Sequence, residues 1–91
     1  MIKNIEIKEI LSEMAFLLSG NNMSEWSSIL LRLCSYIDDD PQDAIYRILN
    51  FYGGMGSLND LVLCENGKML QTENDVFDEL RTRLYELSVS R

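Results

Sequence analysis

The chain contains no histidine. That absence removes the commonest general base, the usual metal ligand and every Ser-His or Cys-His nucleophile pair. Cysteine is scarce too, with only Cys34 and Cys64. Two thiols so far apart, with no histidine to join them, make a poor zinc site. Long apolar runs are missing: the longest, Met14 to Leu18, falls far short of the ~20 residues a membrane span needs. The first residues carry Glu6 and Glu9 and no small-residue cleavage site. They do not read as a secretory signal, so a cytoplasmic location and free, buried thiols are expected.

Positive charge is the other deficit. Eight lysines and arginines stand against 15 acids, for a net charge of −7 and a pI near 4.3. Phosphate backbones and anionic membranes are bound through basic side chains, so neither nucleic acid nor membrane is an expected partner. A basic protein is the partner such a charge favours. The 91 residues, 46% hydrophobic and 25% charged, suit one globular domain spanning 1–91. A chain of this size buries roughly 60–65% of its unfolded surface, which leaves no room for a deep substrate cavity.

Periodicity predicts a mainly α, four-helix, bundle-like fold. Ile7, Ile10, Leu11, Met14, Leu17 and Leu18 recur at helical spacing over about Ile5 to Leu18, with Glu6, Glu9 and Glu13 on the other side. Gly20-Asn21-Asn22 would close this helix in a left-handed conformation. Ser24 reads as the next N-cap, with Glu25 beside it. A second stripe follows in Trp26, Ile29, Leu30, Leu33, Cys34 and Ile37, and it should end near Asp38. Asp40-Pro41 opens a third helix as cap and first residue. Its buried face is Ala44, Ile45, Ile48, Leu49 and Tyr52, and Gly53 would stop it. The short link makes the second and third helices neighbours.

Three of the five glycines then fall together in Gly53-Gly54-Met55-Gly56. Glycine reaches conformations closed to other residues, so this segment reads as a tight corner, with Asn59 and Asp60 placed to tie it down. Beyond it, Leu58 to Leu63 fits either a helical turn capped by Ser57 or a short strand. Glu65-Asn66-Gly67-Lys68 is a turn signal that suggests a small β-hairpin of Leu61 to Cys64 with Met69 to Gln71. Leu and Met are weak strand formers, however, and a loop with short extended pieces is favoured over it. The last helix is capped by Thr72 or Asn74 and carries acids in its first turns. Its stripe is Phe77, Leu80, Leu84 and Leu87, and Asp78 with Arg81 and Glu79 with Arg83 are spaced for ion pairs.

Candidate sites are few. Asp38-Asp39-Asp40-Pro41-Gln42-Asp43 is the densest charge cluster. It is no calcium loop, because the sixth and twelfth positions hold Asp43 and Leu49 where glycine and glutamate belong. Helix capping accounts for Asp40 and Asp43 and leaves Asp38 and Asp39 as surplus acids. The glycine segment lacks the spacing of a phosphate-binding loop. Cys34 lies on an apolar stripe, and Cys64 has no basic neighbour to activate it. Tyr36 and Tyr46 flank the acidic cluster, off the main stripes, where tyrosines often anchor protein interfaces. Asp38, Asp39, Asp40, Asp43, Tyr36 and Tyr46 are therefore the expected partner-binding residues. No catalytic, cofactor or metal site is expected.

One likeness bears on function. Trp26 before a Leu-rich helix, Asp40-Pro41 with Ala44, and Tyr52 through Leu63 (YGGMGSLNDLVL) form a specific pattern. Phe77-Asp78-Glu79-Leu80-Arg81 and Leu84-Tyr85-Glu86-Leu87 close it. Over roughly residues 10–88 the chain resembles a family of short bacterial proteins of uncharacterised function. These are similar to immunity proteins of polymorphic and contact-dependent growth inhibition toxins. The resemblance implies a non-enzymatic inhibitor of one toxin domain, a nuclease with a basic cleft being the natural target of an acidic binder. The alternative is a regulatory or adaptor domain that docks on another cellular protein.

Overall fold

A computed structural model describes residues 2–21, 23–52, 58, 61–65 and 67–90. Four helices and one hairpin follow in the order α1 (Ile2–Ser19), α2 (Ser24–Asp39), α3 (Pro41–Leu49), β1 (Cys64–Glu65), β2 (Lys68–Met69) and α4 (Gln71–Val89). Helix α1 packs mainly on α2 and on α4, and α3 bridges α2 and α4. The glycine corner at 53–56, the expected Ser57 cap and the Asn59-Asp60 tie lie outside the described residues.

The apolar stripes meet in one core. Helix α1 contributes Ile7, Ile10, Leu11, Met14 and Leu18, α2 Leu30, Leu33 and Ile37, α3 Ala44 and Ile48, and α4 Phe77 and Leu84. Leu58 and Leu63 join them from the segment between α3 and α4. Each large side chain of this set contributes on the order of 1.5–3 kcal/mol by leaving water. Two small residues let α1 and α2 approach. Ser27 is buried and its hydroxyl donates to the Ala15 carbonyl oxygen at 2.8 Å.

The helix ends differ from expectation in instructive ways. Gly20 does not take a positive φ; among the described glycines only Gly67 does. Helix α1 is closed instead by backbone bonds from Asn21 and Met23 to the Leu18 carbonyl, and by the Asn21 amide on the Leu17 carbonyl at 2.7 Å. Because Met23 is already fastened to α1, the chain enters α2 at once. Met23 is the cap residue, no side chain caps it, and Ser24 is the first helical residue. Asp40 does cap α3, its carboxylate accepting the Asp43 N–H at 3.1 Å with Pro41 behind it.

The hairpin forms, but closer to its turn than the flanking apolar residues suggested. Cys64 pairs with Met69 and Glu65 with Lys68, antiparallel, with Gly67 at φ 78 in the turn. Leu61, Val62 and Leu63 are not strand. At the start of α4 neither Thr72 nor Asn74 is the cap; Leu70 holds that position. Asn74 sits in the first turn and reaches backwards. Its Oδ1 accepts the Leu63 N–H, and its Nδ2 donates to the carbonyls of Leu63 and Leu70, all at 2.8 Å. Two further contacts tie α4 to the segment after α3. Arg81 donates to the Leu58 carbonyl at 3.2 Å, and the Tyr52 hydroxyl donates to the Arg81 carbonyl at 2.7 Å. Asp78 pairs with Arg81 as expected, whereas Arg83 turns from Glu79 to Glu6 on α1, at 3.2 Å.

Candidate functional site

The end of α2 and the start of α3 form an elbow that carries all six sequence-predicted residues. Asp43 is its centre. One carboxylate oxygen accepts both the Tyr36 hydroxyl and Arg47 Nε, each at 2.8 Å. Asp43 and Arg47 are one turn apart on α3, while Tyr36 reaches across from α2. The Arg47 guanidinium also lies over the Tyr36 ring, 5.4 Å from its centroid, where the π-face attracts a cation.

The ionisations follow from these contacts. The Arg47 hydrogen bond, reinforced by Tyr36, holds the Asp43 carboxyl below its ordinary range. The bond to Asp43 pushes the Tyr36 phenol up, and the same carboxylate raises Arg47. A carboxylate already accepting two donors is a poor proton acceptor. It is suited to holding its neighbours in place.

The other acids divide. Asp38 turns away from the elbow to pair with Lys8 of α1 at 2.6 Å, which raises the Lys8 pKa. Asp39 is exposed, and no base is paired with it among the described residues. Asp40 is exposed, and among the described residues its carboxylate accepts only the Asp43 N–H that it caps. Tyr46, on the following turn of α3, is 64% exposed. The structure therefore gathers Tyr36, Asp40 and Asp43, sends Asp38 to another helix, and leaves Asp39 and Tyr46 open to solvent.

Beside the elbow runs an open cleft of about 490 Å³ lined by Ile29, Arg32, Leu33, Tyr36, Arg47 and Phe51. Trp26 meets Phe51 edge-on, with ring centroids 5.5 Å apart, and so supports one wall. Sequence reasoning missed the part of Arg47. The signal was present in the four-residue spacing of Asp43 and Arg47, which places them side by side on a helix. It also passed over Phe16, 79% exposed on α1. The two thiols are free; Cys34 is partly buried, and Cys64, beside the Asn-Gly turn, is exposed. No group of three acid or thiol ligands is gathered among the described residues. None of the described helices is long and apolar enough to cross a membrane.

The sequence model of a domain of unknown function, DUF6966, matches residues 20–71, more than half of the chain. The chain belongs to this family. No curated protein and no solved structure gives a significant match. The DUF6966 match takes in α2, α3, the elbow, the cleft and the hairpin. It excludes α1 and, beyond Gln71, all of α4.

Proposed function

We propose that this DUF6966 protein is an immunity-type inhibitor that binds a basic toxin domain, most naturally a nuclease, and covers its active-site surface from the α2–α3 elbow. The observation that supports this reading is the exposed pair Asp39 and Asp40, free of any basic side chain among the described residues, with Tyr46 of the following helix 64% exposed. Exposed carboxylates and an exposed aromatic on one elbow offer a partner's lysines and arginines both charge and apolar area. The net charge of −7 adds long-range attraction toward a basic cleft. Asp38 and Asp43 already hold Lys8 and Arg47 through exposed pairs. Exposed pairs are weak, so a partner's guanidinium can exchange for them at little cost.

The test is survival of bacteria that express the toxin domain encoded next to this gene, with and without the protein. Rescue with one-to-one binding supports the reading. Replacing Asp38 and Asp39 together by lysine should then slow association by roughly tenfold at low salt and much less at high salt. Absence of both rescue and binding would sink it and favour the adaptor reading. An unchanged association rate in the double variant would remove the elbow from the mechanism.

A further inference from the structure

Helix α1 buries one face in the core, yet Phe16 stands 79% and Ile5 57% exposed on the opposite side, with Glu9, Ser12 and Glu13 between them. Phe16 borders a hollow of about 340 Å³ between α1 and α4, lined by Ser12, Glu13, Phe16, Leu17, Val76 and Leu80. Val76 is itself 41% exposed. A second hollow, along the α1–α2 side, is lined by Ile5, Lys8, Glu9, Ser12, Glu13 and Cys34. Together they track α1 from Ile5 to Phe16, about 16 Å at roughly 1.5 Å per residue, which is about three helical turns.

The margin of this surface is acidic. Glu9 and Glu13 are exposed, and no base is paired with either among the described residues. Lys8, which lines the second hollow, is held by Asp38, and Arg83 is held by Glu6. We propose that this face of α1, with Val76 and Leu80 of α4, is a groove that docks a basic amphipathic helix of a partner protein. Apolar residues at i, i+3, i+4 and i+7 of that helix seat against Phe16, Val76, Leu80 and Ile5, and its lysines or arginines meet Glu9 and Glu13. Charge selects the occupant. A second copy of this chain would set the same glutamates against each other, and an anionic lipid or nucleic-acid surface would be repelled. The groove is built from residues outside the family match and does not rest on the toxin reading.

The experiment titrates the whole isotope-labelled protein with three synthetic peptides and follows amide shifts and binding anisotropy. The first peptide carries leucines in one helical stripe among lysines. The second has the same composition with the leucines dispersed, and the third replaces lysine by glutamate in the striped form. The striped basic peptide should shift the amides around Phe16, Val76 and Leu80 and bind about tenfold tighter than the dispersed one, the scale of a lost apolar anchor. Phe16→Ala should cost about tenfold in that affinity without moving the thermal midpoint, and Val76→Ser should act in the same direction. Glu9→Lys with Glu13→Lys should weaken binding and flatten its salt dependence. Equal affinity for both basic peptides, shifts confined to α2 and α3, or a dimer abolished by Phe16→Ala would overturn the proposal. A Phe16→Ala protein that loses the peptide but still rescues cells separates this groove from the elbow. An Asp38→Lys, Asp39→Lys double variant that fails to rescue but keeps the peptide separates them the other way.

Discussion

Asn74 and Asp43 each sit in the first turn of a helix, and each collects hydrogen bonds from a neighbouring segment. Asn74 is neutral and partly buried, and all three of its bonds go to backbone groups of Leu63 and Leu70. Asp43 is charged, and its side chain is 37% exposed. Its oxygen is shared by two side chains, Tyr36 and Arg47, which water can serve almost as well. The difference lies in what is left behind when a bond breaks. At Asn74 the orphans are peptide groups in a packed seam, where an unpaired polar atom is costly. At Asp43 they are a phenol and a guanidinium at the surface, both readily hydrated. The first cluster holds the fold, and the second is free to exchange its partners.

The sharpest way to break this comparison is to put a charge at the neutral position. Asn74→Asp keeps the acceptor for the Leu63 N–H but turns a carboxylate toward two carbonyl oxygens. It should destabilise more than Asn74→Ala, and acidification that protonates it should recover part of the loss. Asn74→Ala itself should cost about 2–3 kcal/mol, the scale of orphaned peptide groups, and lower the thermal midpoint by roughly 10–20 °C. A loss below about 0.5 kcal/mol on chemical denaturation would contradict the assignment of Asn74 to the structural class.

A neutral buried donor should also set the alkaline limit. Burial pushes the Tyr52 phenol above its ordinary range, with Arg81 acting against it. The folded state thus favours the neutral phenol. Its contribution is intact below the ordinary phenol value of about 10 and is lost as pH rises from there toward the higher folded value. Stability measured against pH should fall in that window, and Tyr52→Phe should remove much of the fall.

The smallest effect belongs to the charged cluster. Asp43 has a folded pKa below its ordinary one, so its contribution is present above the ordinary carboxylate value and fades as pH drops through the lowered value. Asp43→Asn should scarcely move the midpoint at neutral pH, and its difference from the parent chain should shrink further in salt. A large, salt-resistant loss would place Asp43 with Asn74 and erase the distinction.

The helices were legible in the sequence because burial repeats every three or four residues, and Ile7 to Leu18, Leu30 to Ile37 and Phe77 to Leu84 keep that rhythm without interruption. Asp40-Pro41 was legible as well, since capping by an adjacent carboxylate is decided within one helical turn. The starts of α2 and α4 were not. Met23 is fixed by a carbonyl of the preceding helix, and Asn74 is drawn backwards by Leu63, far behind it in the chain, so local capping rules had no access to either. The hairpin was legible from its turn but not in its extent, because its two-residue strands carry no alternation. At the elbow, residue types predicted the neighbourhood of Tyr36, Asp40 and Asp43. The diversion of Asp38 to Lys8 spans 30 residues and appears only once α1 and α2 are packed. Phe16 escaped notice because a helix with apolar residues inside and outside blurs its own periodicity.

The bond from Ser27 to Ala15 carries a consequence for how α1 and α2 find their alignment. Leucines and isoleucines on two smooth stripes tolerate sliding, since one methyl group is much like another. A slide of one turn, about 5.4 Å, would strand the buried hydroxyl among aliphatic side chains and forfeit on the order of 1–3 kcal/mol. The serine therefore works as a buried vernier mark, beside the exposed Lys8–Asp38 pair that spans the same two helices. Ser27→Ala should leave the helices paired but let neighbouring alignments compete, seen as broadened methyl resonances along Leu11, Met14 and Leu30 before any loss of helix content.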